Sequence, residues 1–156
     1  MKSPARFEFY DAEHSAPWAK WAADRISGCA RGWDACVTMR VFRQETIGVV
    51  VYHDWNPEAQ VICMSAAGSD GWLTRPVLYA MHDYVFNQAG CQLAVLQTSE
   101  HNAVMRRIAL AYGYCEYLIP RLRGRNEAEA LLTLTDDDWR ASRFHKDHAR
   151  GKTEGP

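Results

Sequence analysis

The sequence predicts a mixed α/β domain. Three observations carry this reading. Apolar residues recur at helical spacing before Gly28, and the period then changes to two in β-rich segments between residues 36 and 67. Three such segments follow one another directly. Beyond residue 74, helical and extended patterns alternate as far as residue 134. A strand meander that leads into strand–helix alternation makes a sheet with both antiparallel and parallel pairs.

The elements follow in order. Phe7 to Tyr10 reads as a short first strand. Asp11 or Ser15 caps a helix running to Ile26, with Trp18, Trp21, Ala22 and Arg25 on one face. Gly28 and Gly32 break it. Cys36 to Arg43 alternates and reads as a strand, and Gln44-Glu45 is its tight connection to Thr46–Trp55, rich in Ile47, Val49, Val50, Val51 and Tyr52. Asn56-Pro57 is a turn, and Gln60 to Ala67 completes the meander. Thr74 caps the next helix, with Pro76 in its first turn and Val77, Leu78, Met81, Val85 and Ala89 at helical spacing before Gly90. Gln92 to Ser99 is a strand. Asn102 opens a helix with Met105, Ile108 and Tyr112 on one face, and Gly113 ends it. Tyr114 to Leu122 is a strand, Arg123 to Glu129 a polar loop, and Leu131 to Leu134 the last strand. Asp136 to Phe144 reads as a short helix with an acidic first turn. The order is β-α-β-β-β-α-β-α-β-β, one domain over residues 1–144. Residues 145–156 have almost no apolar side chain and read as a disordered tail.

Composition narrows the function. Apolar residues make up 47% of 156, enough for a sizeable core. With 18 Lys plus Arg against 19 Asp plus Glu, net charge gives no global pull toward nucleic acid or an anionic membrane. Apolar stretches such as Ile47 to Tyr52 fall far short of the ~20 residues of a membrane span. Met1 to Tyr10 lacks the apolar region of a signal peptide. The expected location is the cytoplasm. Five cysteines, none in a C-x-x-C pair, read as reduced thiols with no structural metal site.

The segment Asn102-Ala-Val-Met-Arg-Arg-Ile-Ala-Leu-Ala-Tyr-Gly113-Tyr114 joins an Asn, a helix, a Gly and an aromatic residue. Leu93 to Thr98 precedes it as a strand, and Arg121 follows the Gly–aromatic step. Upstream, Thr46-Ile47-Gly48-Val49-Val50 is a strand opened by an apolar residue and Gly. In this order and spacing the chain resembles the GNAT N-acyltransferase superfamily, in its ribosomal-protein-acetyltransferase-like branch. The resemblance implies acetyl-CoA as co-substrate and an amine as acceptor. It also implies a splay between the strands Gln60–Ala67 and Gln92–Ser99, where backbone N–H groups hold pantetheine and polarise the thioester carbonyl.

Two positions depart from the family pattern. The pyrophosphate loop is usually Gln or Arg, two residues, Gly, one residue, then Gly or Ala; here the stretch is Gly68-Ser-Asp-Gly71-Trp72-Leu73-Thr74-Arg75. It retains the physics of phosphate binding. Gly71 permits close backbone approach, free N–H groups at the start of the Thr74 helix face an anion, and Arg75 adds a charge-assisted contact. Trp72 is expected against the pantetheine arm. Many members also place a Tyr seven residues after the Asn, to reprotonate the leaving thiolate; here that residue is Ala109.

The remaining candidates are side chains. Asn102 serves as helix cap, cofactor contact or both. Arg106 and Arg107 suit the phosphate-bearing adenosine end of CoA. His53, in Tyr52-His53-Asp54-Trp55, is an imidazole, the side chain most often used to deprotonate an acceptor ammonium. Two other readings stand beside an acetyltransferase: a non-catalytic module of the same fold, and a nucleic-acid-associated protein using Arg106, Arg107, Arg121, Arg123 and Arg125.

Overall fold

The structure is a computed structural model and describes residues 3–146 and 148. The elements are β1 (Arg6–Tyr10), α1 (Ala16–Ala23), β2 (Val37–Phe42), β3 (Thr46–Asn56), β4 (Val61–Gly68), α2 (Arg75–Asp83), β5 (Leu93–Ser99), α3 (Ala103–Tyr112), β6 (Cys115–Gly124), β7 (Glu127–Thr135) and α4 (Asp136–Ala141). A wider π turn over Tyr84–Gln88 prolongs α2. The strands form one seven-stranded sheet in the order β1-β2-β3-β4-β5-β7-β6. Only β4 and β5 pair in parallel. A parallel step needs a long crossover, and α2 supplies it. The mixed α/β class and the order of the elements agree with the sequence pattern.

Alternation along the strands sorts the side chains to two faces. On one, Met39, Val41, Val50, Met64, Leu96 and Leu132 pack against Val77, Met81 and Val85 of α2, Met105 and Ala109 of α3, and Trp139 of α4. On the other, Val49 and Val51 lie beneath Ala22 of α1, flanked by Trp18 and Trp21. β3 is thus buried on both faces, which explains its unbroken run of valines.

Three boundaries differ from the sequence pattern. Residues 123–129 are not a loop: β6 runs through Gly124 and β7 begins at Glu127. Their polar side chains occupy strand positions and pair with one another: Arg123 reaches Glu127 at 3.3 Å and Glu129 at 2.8 Å. Composition alone reads such a stretch as solvated, whereas opposite charges on neighbouring strands stabilise a hairpin. α1 stops at Ala23, so Arg25 falls beyond it and lays its guanidinium 3.7 Å over the Trp21 ring; the face that α1 buries is Ala19, Ala22 and Ala23. α4 ends at Ala141, and after a break at Ser142 residues 143–146 are again helical, so the expected helix is interrupted rather than continuous. Of the expected tail, residues 147 and 149–156 lie outside the described residues, and the Lys146 N–H bonds to the Ser142 carbonyl.

The core holds a histidine. His82 on α2 is 1% exposed, with Nδ1 2.7 Å from the Leu78 carbonyl and Nε2 2.5 Å from the Tyr114 hydroxyl. A carbonyl only accepts, so Nδ1 carries the hydrogen and Tyr114 donates to Nε2. The ring stacks on Tyr112 at 4.7 Å. Burial disfavours the imidazolium and pulls the pKa from 6.5 down to about 4, against a smaller upward pull from the Leu78 carbonyl. Between those two pH values the unfolded chain binds more protons than the folded one. Stability is therefore lost as pH falls through this window, by roughly 3 kcal/mol in all. Urea unfolding of the wild type and of His82→Gln, compared at pH 7 and pH 4.5, is expected to show a larger acid loss in the wild type.

Candidate active site

β4 and β5 pair only from Val61–Leu93 to Met64–Leu96. Beyond that point β4 continues beside β3 to Gly68, and β5 continues beside β7 to Ser99. The two strands part, and their facing edges lose their ladder partners. A cleft of 1080 Å³ opens there, between Ala66–Leu73 on one side and Gln97–Ser99 on the other. Trp21, Arg25 and Ile26 border it from the α1 side, and Asn102, Met105, Arg107 and Ile108 from α3. Its volume is in the range of small-molecule sites.

The loop after β4 is held from within. The Ser69 N–H bonds to the Ile47 carbonyl at 2.8 Å, Trp72 N–H to Ser69 and Thr74 N–H to Trp72. Gly71, at φ +77, makes the reversal that closes this turn. Among the described residues the N–H groups of Asp70, Gly71 and Leu73 have no acceptor, nor do those of Arg75 and Val77 in the first turn of α2. Thr74 sits at the N-cap in extended conformation, but its side chain makes no capping bond. Several backbone donors are therefore concentrated at one end of the cleft, where the helix dipole also favours an anion.

Several expected side chains have a different placement. Trp72 is 6% exposed and belongs to the main core as well as the cleft wall. Arg75 lies 5.4 Å over the Phe144 ring and borders a small separate cavity with Tyr79 and Tyr112. Arg106 grips Glu116 through two nitrogens, at 2.8 and 2.6 Å, and donates to the Glu100 carbonyl. Its neighbour Arg107 is the α3 cation that borders the cleft. Asn102 is both cap and cleft residue: Oδ1 accepts from the Met105 N–H at 3.2 Å and Nδ2 donates to Thr98 at 3.1 Å, tying α3 to the end of β5. Ala109 is buried in the core, and the nearby Tyr112 hydroxyl accepts from Trp139 Nε1.

His53 is 3% exposed, on the α1 face, with Trp33 stacked on its ring at 5.6 Å. Nδ1 is 2.6 Å from the Asp54 carboxylate and Nε2 is 2.9 Å from Ser65 Oγ. A carboxylate only accepts, so Nδ1 donates to Asp54, which leaves Nε2 of a neutral ring to accept from the Ser65 hydroxyl. Asp54 reaches it from a left-handed backbone, φ +51, at the irregularity that ends regular β3–β4 pairing. Ser65 is the first β4 residue past the paired segment, next to Ala66 and Ala67 of the cleft wall.

Sequence reasoning missed the group that closes the cleft opposite the loop. Arg123 bridges Glu127 and Glu129 on β7 and also donates to the Ser27 carbonyl beyond α1. Ser99 donates to Glu127 at 2.5 Å, and this bond holds the Glu127 carboxyl below its usual range. The only signal was the close spacing of Arg123, Glu127 and Glu129, with the carboxylates alternating with Ala128 and Ala130. Among the described residues, no group of three or more His, Cys, Asp or Glu is placed to hold a metal ion.

This architecture matches solved acetyltransferases. Spermidine N-acetyltransferase from Vibrio cholerae superposes with a TM-score of 0.68 at 11% identity, over 88% of this chain and 98% of that one. Ribosomal-protein-S5-alanine acetyltransferase from Vibrio fischeri gives 0.62 at 13% identity, over 86% and 94%. The yncA protein of Salmonella typhimurium, solved with its cofactor acetyl-CoA, gives 0.64 at 15% identity, over 84% and 93%. The fold is that of the GNAT acetyltransferases. No protein-family model and no curated protein matches the sequence. Within this GNAT fold the cleft walls rest on two polar ties, Asn102 and Arg123.

Removing either tie is expected to cost stability. Asn102→Ala loses a cap worth about 1 kcal/mol. Arg123→Leu strands Glu129, 7% exposed, and should cost about 3 kcal/mol. Adding Glu129→Gln to Arg123→Leu should restore part of that loss in denaturant melts, because the stranded charge is then gone.

Proposed function

We propose that the protein is an acetyl-CoA-dependent N-acetyltransferase. The parting of β4 and β5 beside a loop of unpartnered N–H groups carries this reading. That pairing of features suits a long ligand with phosphates at one end and a reactive carbonyl at the other. The neighbour yncA, with its cofactor acetyl-CoA, supports the choice of ligand.

The co-substrate supplies the thioester. Residues Gly71–Thr74 and the first N–H groups of α2 hold its diphosphate, with Arg75 contributing through its backbone. Asn102 fixes the wall beside it. Arg107, rather than Arg106, is the α3 cation open to its phosphate-bearing adenosine end. Ser65 and His53 handle the acceptor's proton. An ammonium cannot attack, so its proton passes through Ser65 to His53 Nε2, and Asp54 opposes the imidazolium that forms. The free amine then attacks the carbonyl, the C–N bond forms, the C–S bond breaks, CoA leaves as thiolate and the nitrogen releases its second proton to water. Ala109 offers no acid, and the thiolate takes its proton from His53 or from water.

The competing nucleic-acid reading loses two of its five cations, since Arg106 and Arg123 are held in ion pairs. A non-catalytic module of this fold remains distinguishable by experiment. Calorimetry with acetyl-CoA should give saturable binding; no heat and no thermal shift at millimolar ligand would sink the proposal. With a panel of amine acceptors, His53→Gln should lower kcat about 10²-fold and leave acetyl-CoA affinity unchanged. Binding without transfer to any amine would favour the module.

A further inference from the structure

The loop that offers its N–H groups to the cleft is fastened at Ser69 and at Trp72. The Trp72 fastening depends on two residues with no side chain. Gly48 of β3 and Gly68 of β4 are directly paired across the sheet. Both belong to the face that carries Val50 and Met64, and the Trp72 indole lies flat over the pair. A Cβ at Gly48 would stand 2.1 Å from Cε3 and 2.4 Å from Cδ2 of that ring. One at Gly68 would stand 2.4 Å from Cδ1 and Nε1. Real Cβ contacts essentially never come so close, and the obstacle is a rigid bicyclic ring packed in the core rather than a flexible chain end. Neither glycine has a positive φ, whereas Gly28, Gly32, Gly71, Gly90, Gly113 and Gly124 do. Gly48 and Gly68 thus serve close approach, and the other six serve backbone conformation.

We infer that the Gly48–Gly68 pair is a seat for Trp72, and that this seat positions the loop for the diphosphate of the acyl-CoA. The inference rests on the reading given under Proposed function. The indole sits between two functions. Its buried side closes the end of the main core, where Met39, Val41 and Val50 lie. Its other side lines the cleft beside Gly71 and Leu73. Its own backbone is part of the turn, since the Trp72 N–H binds Ser69 and its carbonyl accepts from Thr74. Where the ring sits therefore sets where the N–H groups of Asp70, Gly71 and Leu73 point. A ring lifted by one methyl group carries the whole turn with it. Trp72 is a positioning residue: it acts on the ligand through the backbone it holds.

A double-mutant cycle tests this. Gly68→Ala, Trp72→Leu and the double variant are purified, melted, and titrated with acetyl-CoA; kcat and KM are measured where an acceptor is known. Gly68→Ala and Trp72→Leu should each weaken acetyl-CoA binding by between about tenfold and about a hundredfold, as sub-ångström misplacement of donors does, and raise KM by more than they lower kcat. The double variant should bind no worse than Trp72→Leu, because a leucine leaves room for the added methyl. Wild-type affinity in Gly68→Ala, or losses that add in the double variant, would overturn the seat. If Gly68→Ala does not fold alone, its recovery in the Trp72→Leu background supports the seat, and failure there overturns it. If wild-type protein does not bind acetyl-CoA, the functional proposal falls, and the same non-additivity read in the melts still decides the seat.

Discussion

Parallel pairing between β4 and β5 lasts four residues on each strand, and the rest of the architecture accommodates its end. A sheet interior without ladder partners exposes backbone donors and acceptors that must find other bonds or face solvent and ligand. Here each strand keeps its other neighbour: β3 holds β4 to Gly68, and β7 holds β5 to Ser99. The gap is therefore rigid, framed by two antiparallel pairs. α2 makes the parallel step possible and α3 walls the gap.

Polar side chains with few alternatives secure this frame. Arg123 joins Glu127 and Glu129 to the segment beyond α1, and Asn102 joins α3 to β5. The Arg123–Ser27 bond spans 96 residues of sequence, whereas the Asn102 and Arg123–Glu bonds join elements that follow one another directly. The Arg123 and Glu129 side chains are only 11% and 9% exposed, so their pair is expensive to break singly, which favours one arrangement of that cleft wall over near alternatives. His53 belongs to the same class: both of its ring nitrogens are engaged, and Trp33 covers it.

What was legible in the sequence was local. The β3 valines, the Asn102–Gly113 helix frame and the Pro76 start of α2 are set within one segment, and the structure keeps them. What was not legible depends on register between segments. The polar stretch 123–129 reads as loop until Arg123 is placed beside Glu127 and Glu129 in one hairpin. His53 is a plain strand-end histidine until pairing brings Ser65 within 2.9 Å. Arg106 and Arg107 are equivalent in sequence; the helix turns one toward Glu116 and the other toward the cleft. Gly48 and Gly68 read as separate family and loop glycines until the β3–β4 register sets them side by side. Side-chain chemistry was visible throughout, but the partner of each side chain was not.

The strand order carries a consequence for synthesis. β7 lies between β5 and β6, so the last strand among the described residues enters the sheet interior rather than its edge. A nascent chain emerging as far as β6 has β5 with one flank open, its Ala94 and Leu96 awaiting Leu134 and Leu132. On a ribosome the sheet cannot be completed until residues 127–135 have cleared the exit tunnel, and the cleft cannot close before then. A message truncated even shortly before that point yields an exposed apolar strand edge, the kind of surface that chaperones and proteases recognise. Quality control of this chain is thus weighted toward its final strand.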